Sequence, residues 1–197
     1  MRHNDLMDIE YEATFFPVVK ESVREILRKN GAKLINSEYL QKRTAFNLPK
    51  GHEIAGGWAR VRQEADKITM SVKIVDGHGI ENKREVCLTV DSFANAEMLL
   101  TSLGCTKKAY QENKRELWKT GDVEITIDEW PYLEPFVEIE GSSEQSVKNT
   151  AEKLGFKWKN AIFHSVDYMY HKKYGVSQKA VYDKTPRITF SEPNPFV

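Results

Sequence analysis

Residues 7–14 read Met7-Asp8-Ile9-Glu10-Tyr11-Glu12-Ala13-Thr14, and residues 122–128 read Asp122-Val123-Glu124-Ile125-Thr126-Ile127-Asp128. In both, apolar side chains alternate with acidic or hydroxyl ones, the period of two that sends successive side chains to opposite faces of a strand. The polar face has a constant sign in each: Asp8, Glu10 and Glu12 share one face, and Glu138 and Glu140 share another in Phe136-Val137-Glu138-Ile139-Glu140. Basic strands follow the same design, with Arg60 and Arg62 two apart in Trp58-Ala59-Arg60-Val61-Arg62, and Thr69, Ser71 and Lys73 opposing Ile68, Met70, Val72 and Ile74. Two further strands, Lys83 to Val90 and Asn113 to Trp118, mix their faces more.

A sheet with one face in water reads as core against mixed polar residues. Like charges on one face repel, so clusters sorted by sign need counter-ions across a gap. The simplest arrangement is an antiparallel barrel, charges lining its lumen and helices outside. An ordinary α+β scaffold with solvated charged strands is the alternative, and in it neutralising Glu10 or Arg62 changes little.

Between the strands, Val19, Val23, Ile26 and Leu27 repeat at helical spacing and end at Asn30-Gly31; Ser92 caps a second helix with Ala96, Leu99, Leu100 and Leu103 before Gly104; Ser142-Ser143 opens a third with Val147, Ala151 and Leu154 before Gly155. A weaker helix is expected over residues 161–172. The spacing predicts one domain over residues 1–175 and a loosely packed tail over 176–197, where Pro186, Pro193 and Pro195 fall.

The 197 residues carry 29 Lys+Arg against 29 Asp+Glu, 40% hydrophobic residues and 11% aromatic ones, enough apolar material for a core and too much for a disordered chain. Zero net charge removes any bulk attraction to nucleic acid or anionic lipid, so neither is expected as a partner. No stretch has the length of a membrane span, and Met1 to Asp5 lacks the apolar run of a signal peptide, so a cytoplasmic protein is expected. Cys87 and Cys105 make no metal-ligand spacing. His52, His78, His164 and His171 read as surface or capping residues, and Gly77-His78-Gly79 as a turn.

A lumen built this way has a definite chemistry. Guanidinium forks on neighbouring strands suit a phosphate chain held bidentately. Carboxylates suit magnesium or manganese, and magnesium shares its coordination with substrate phosphates. A metal clamping a polyphosphate against arginines stabilises charge developing on phosphoryl oxygens.

The segment Ile9-Glu10-Tyr11-Glu12-Ala13-Thr14 resembles the ExExK signature of the CYTH superfamily, the triphosphate tunnel metalloenzymes. Trp58 to Arg62 resembles that family's LRIR strand, Lys73 its following lysine, Lys114-Arg115 its later basic strand, and Ile127-Asp128-Glu129-Trp130 through Glu140 its D…EIE ending, in order over residues 8–155. The resemblance implies an α+β fold with a closed barrel of eight antiparallel strands and a triphosphate in its tunnel. It implies a Mg2+ or Mn2+ cofactor held by Glu10, Glu12, Asp128, Glu138 and Glu140, with Glu85, the only acid left on its face, joining them. Phosphate contacts fall to Arg60, Arg62, Lys73 and Arg115, with Arg43 and Lys83 added, and Glu10, Glu12 and Glu138 are the catalytic candidates. Thr14 stands in place of the signature lysine, Arg43 in place of an acid, Cys87 and Thr89 where glutamates are frequent, and Asn113 where a lysine is common, so the tunnel's charge balance is altered.

The family's activities are class IV adenylyl cyclase, thiamine triphosphatase and inorganic or nucleoside triphosphatase. The expectation here is closest to the cyclase-like group, with ATP, inorganic triphosphate or thiamine triphosphate as partner and the chain a monomer or homodimer. A non-catalytic polyphosphate-binding or nucleotide-sensing module is the other class of reading, since Thr14 and Cys87 thin the usual charges.

Overall fold

A computed structural model describes residues 7–183 and 185–197; the reading of Met1 to Asp5 lies outside the described residues. The strands are β1 (Asp8–Ile9), β2 (Tyr11–Phe15), β3 (Lys33–Asn47), β4 (Gly57–Gln63), β5 (Ile68–Val75), β6 (Lys83–Val90), β7 (Thr106–Thr120), β8 (Val123–Glu129), β9 (Phe136–Gly141) and β10 (Arg187–Ile188). The helices are α1 (Lys20–Lys29), α2 (Phe93–Ser102), α3 (Glu144–Lys153), α4 (Asp167–Tyr174) and α5 (Gln178–Asp183).

The strands form one sheet in the order β1-β6-β5-β4-β3-β7-β8-β9-β2, antiparallel throughout this path. Its two ends, β1 and β2, are consecutive in the chain and separated by Glu10 alone, whose backbone N–H donates to the carbonyl of Lys83 at 2.9 Å. The sheet therefore curls into a nearly closed barrel, as expected. The path counts nine strands rather than eight, because the N-terminal strand breaks at Glu10 where it passes from β6 to β9.

Alternation decides what goes outside. Ala13, Val123, Ile125, Ile127, Val137 and Ile139 point outward under α3 and α1, where they pack with Val23, Leu27, Val147, Ala151 and Leu154. Phe46, Ala59 and Val61 lie under α2, against Ala96 and Leu100. The predicted caps form: the Ser143 side chain and Ser146 make a reciprocal capping box on α3, and Gly31, Gly104 and Gly155 take positive φ past their helices.

The C-terminal part departs from expectation. The helix foreseen over residues 161–172 is instead a 3-10 turn at Trp158–Asn160 and then α4, with Thr14 bridged to Ile162 between them. The segment expected to pack loosely is docked: β10 pairs in parallel with β7, and Val181 and Ile188 are buried with Tyr170, Met169 and Trp130. Apolar residues spaced among prolines gave no periodicity to announce this. Among the described residues, no helix is long and apolar enough to cross a membrane.

Candidate functional site

The barrel encloses a cavity of about 1160 Å³. Arg43, Arg60, Arg62, Lys73 and Arg115 line it, as do Glu10, Glu12, Glu85, Glu138, Glu140 and Lys83. Eleven of the twelve side chains expected at the site are thus brought to one lumen. The twelfth, Asp128, is fully buried behind the wall.

Register explains the sorting by charge. Arg43 on β3 lies opposite Arg62 on β4, Arg60 opposite Ser71, and Lys73 opposite Glu85. On the other side Glu12 lies opposite Glu140, and Glu140 opposite Glu124, a row of three glutamates across β2, β9 and β8. Like charges directly opposed are destabilising, so each half of the lumen is built to be relieved by ions of the other sign.

Part of that relief is internal. Arg115 donates through Nε and Nη2 to the two oxygens of Asp128, each at 2.9 Å, and through Nη2 to Glu138 at 2.5 Å. Asp128 also accepts from Asn113 at 2.6 Å and Thr126 at 2.7 Å, so it orients Arg115 from below and both of its oxygens are engaged. Arg60 donates to Glu85 at 2.7 Å, Lys83 to Glu12 at 2.5 Å, and Arg62 to Glu64 at 2.8 Å. Lys73 pairs with Glu10.

Arg43 has no carboxylate partner among the described residues. It donates to Gln41 at 2.5 Å and to Asn113, and lies on the ring of Trp130, 4.5 Å from its centroid. Burial first, then the charges of Arg60, Arg62 and Arg115, push its pKa well below the arginine range. Glu140, on the acidic side, makes no hydrogen bond or ion pair among the described residues; burial within the barrel and the charge of Glu12 raise its pKa, against Lys73.

Two carboxyl groups are tuned toward neutrality. Burial raises Glu10 to about 8, opposed by Lys73 and reinforced by a hydrogen bond shared with Glu85. Burial and the charge of Glu12 raise Glu138 to about 7, against Arg115. Their neighbours go the other way: burial would raise Glu12, but Lys83 and Lys73 hold it at about 2, and Glu85 is held well below the carboxylate range by its bond from Glu10 and by Arg60, despite burial.

The donor set tests the fit of a divalent ion. Among the described residues no three carboxylate, imidazole or thiol groups form a ready cage. The arrangement of Glu12, Glu138 and the unpaired Glu140 instead suits an open oxygen site completed by water and phosphate, the habit of magnesium.

Sequence reasoning missed several lining residues. Tyr39, Glu64, Leu117 and Glu124 surround one end of the cavity. The other end is lined by Trp130 and by His164, Asp167 and Tyr182 from the C-terminal segment. His164, read as a surface or capping residue, is part-buried at the cavity, while His78 is exposed as that reading expects, with their rings 5.3 Å apart. Trp130 beside Asp128 was a visible signal; the C-terminal residues had none, because they arrive by docking.

Solved structures share the fold. A protein from Pyrococcus horikoshii OT3 superposes with a TM-score of 0.68 at 21% identity, over 82% of this chain and 99% of that one. An adenylate cyclase candidate from Vibrio parahaemolyticus gives 0.70 at 14% identity, over 83% and 98%. A Hippeastrum protein, an adenylyl cyclase candidate with a dominant triphosphatase activity, gives 0.56 at 13%, over 96% and 99%. No curated protein sequence matches the chain. The profile of the CYTH domain matches residues 9–166, most of the barrel and its acidic and basic strands, and the chain belongs to the CYTH family.

Proposed function

We propose that this chain is a Mg2+- or Mn2+-dependent enzyme that processes a triphosphate inside its barrel, acting on ATP as a class IV adenylyl cyclase does, with cyclic AMP and pyrophosphate as products. The observation that carries the reading is the convergence of basic and acidic side chains on one lumen, Arg43, Arg60, Arg62, Lys73 and Arg115 with Glu10, Glu12, Glu85, Glu138 and Glu140, in which Arg43 and Glu140 are left without an ion-pair partner among the described residues. A polyanion relieves Arg43 beside Arg60, Arg62 and Arg115, and a cation relieves Glu140 beside Glu12, the charges that the internal ion pairs leave least compensated. The cavity also continues past the arginines to Trp130 and Tyr182, leaving room for more than phosphates.

The basic strands bind the triphosphate bidentately and hold the pyrophosphate as it leaves. Glu12, Glu138 and Glu140 are the residues to hold the metal, which when bound supplies Lewis-acid stabilisation of phosphoryl charge. In cyclisation the ribose 3′-hydroxyl oxygen bonds to the α-phosphorus, the bond from that phosphorus to the bridging oxygen of pyrophosphate breaks, and the hydroxyl proton passes to a carboxylate. Asp128, with both oxygens engaged, acts through Arg115. The chain works as a cytoplasmic protein, and the docked segment after residue 175 contributes Tyr182 to the catalytic cavity.

Hydrolysis of inorganic, thiamine or nucleoside triphosphate is the second reading, favoured by the dominant activity of the Hippeastrum neighbour. Purified protein incubated with ATP, inorganic triphosphate or thiamine triphosphate and either metal distinguishes the two by product. Cyclic AMP with pyrophosphate supports the cyclase, and orthophosphate supports hydrolysis. Binding without turnover leaves a polyphosphate-sensing module, and absence of binding overturns the tunnel reading.

A further inference from the structure

The end of the cavity reached by the C-terminal segment holds polar atoms that the phosphate chemistry does not use. Gln111, on β7 opposite Arg43, is 3% exposed, and its Nε2 has no hydrogen-bond partner among the described residues. Asp167, the first residue of α4, is 8% exposed; its carboxyl already takes a hydrogen bond from Ser165, and its Oδ1 has no partner among the described residues. Both residues line the cavity. One is a donor and the other an acceptor, and each carries a desolvation cost that a ligand group can cancel.

Flat faces flank them. Tyr182 lines the same end, with Lys108 over its ring at 4.3 Å from the centroid, and Trp130 carries Arg43. Arg43 thus belongs both to the phosphate cluster and to this end.

We propose that this end is a nucleobase pocket, in which Asp167 accepts from an exocyclic amino group and Gln111 donates to the adjacent ring nitrogen, with Tyr182 and Trp130 as its apolar walls. Adenine presents that pair of groups on one edge. An inosine base carries an oxo group and a ring N–H there, the reverse pattern. The inference rests on the proposed triphosphate reading and narrows it to an amino-bearing nucleoside triphosphate. Neither Gln111 nor Asp167 stands among the residues expected from the strand motifs, and Asp167 lies just beyond the matched family segment.

The test is calorimetric binding of ATP, inosine triphosphate and inorganic triphosphate to the full chain with magnesium, in the wild type, Asp167→Asn, Asp167→Ala and Gln111→Leu. The wild type is expected to bind ATP at least about 10-fold more tightly than inosine triphosphate. Asp167→Ala and Gln111→Leu lose that preference while binding inorganic triphosphate as before, which also reports that the barrel is intact. Asp167→Asn, which can donate to an oxo group, shifts the preference toward inosine triphosphate. Equal binding of the two nucleotides by the wild type, beside firm binding of inorganic triphosphate, overturns the pocket alone. Variants that weaken inorganic triphosphate as much as ATP overturn it too. A wild type that binds no triphosphate overturns the tunnel reading and this inference with it.

Discussion

Asp128→Asn separates an orienting role from a metal-binding one. Asp128 is fully buried, and its carboxylate takes two bonds from Arg115 at 2.9 Å, one from Asn113 at 2.6 Å and one from Thr126 at 2.7 Å. Removing one partner of a buried ion pair costs about 3–5 kcal/mol. Arg115 keeps Glu138, and asparagine keeps one acceptor, so the expected loss falls near about 2–3 kcal/mol. In a chain of this length that lowers the melting temperature by roughly 4–12 °C. Arg115 then leans toward Glu138, and triphosphate affinity falls by roughly 10-fold even with metal chelated.

The assay is urea unfolding together with triphosphate binding in EDTA, run as a double-mutant cycle with Arg115→Met. Coupling predicts that Asp128→Asn adds little once Arg115 is gone. Additive losses in the cycle, or a binding defect that appears only with metal present, would refute the orienting role and return Asp128 to the metal set.

Three further outcomes follow from the same geometry. Glu10 and Glu138 keep in the folded state protons that the unfolded chain gives up near pH 4.5, so the stability they contribute is complete below that pH and drains as pH rises through about 7–8; the ligand-free protein should lose roughly 3–4 kcal/mol between pH 6 and 8 by urea unfolding, the Glu10→Gln, Glu138→Gln pair should flatten the profile, and a rise over that window would contradict it. Glu140→Gln breaks the row of Glu12, Glu140 and Glu124 and should stabilise the ligand-free fold by roughly 0.5–1 kcal/mol while raising the magnesium needed for binding; a loss of stability speaks against the crowding argument. Ser143→Ala removes the α3 capping box and should cost about 1 kcal/mol in chemical denaturation without altering triphosphate affinity.

Much of the site was legible because strand alternation is a local rule: given Glu10 and Glu12, or Arg60 and Arg62, two apart in a strand, their side chains share a face whatever the rest of the chain does. Asp128 shows where that rule stops. Its parity puts it on the lumen side with Thr126, but Arg115 on the neighbouring strand lies over it, and depth within a wall depends on which side chain is longer. Arg43 has the parity of the lumen, and its lack of a carboxylate ion-pair partner among the described residues follows from having Arg62 and Gln111 as register partners.

What the sequence determined by itself is the two-faced strand, the caps and glycine stops of the first three helices, and the sorting of lumen charges by sign, since each depends on neighbours a few positions apart. The barrel's closure at Glu10, the pairings that turn two charge clusters into one site, and the docking of β10, α4 and α5 over one end belong to the tertiary structure. They join residues separated by tens of positions, and contacts at that range are chosen by packing and register, which no short-range pattern carries.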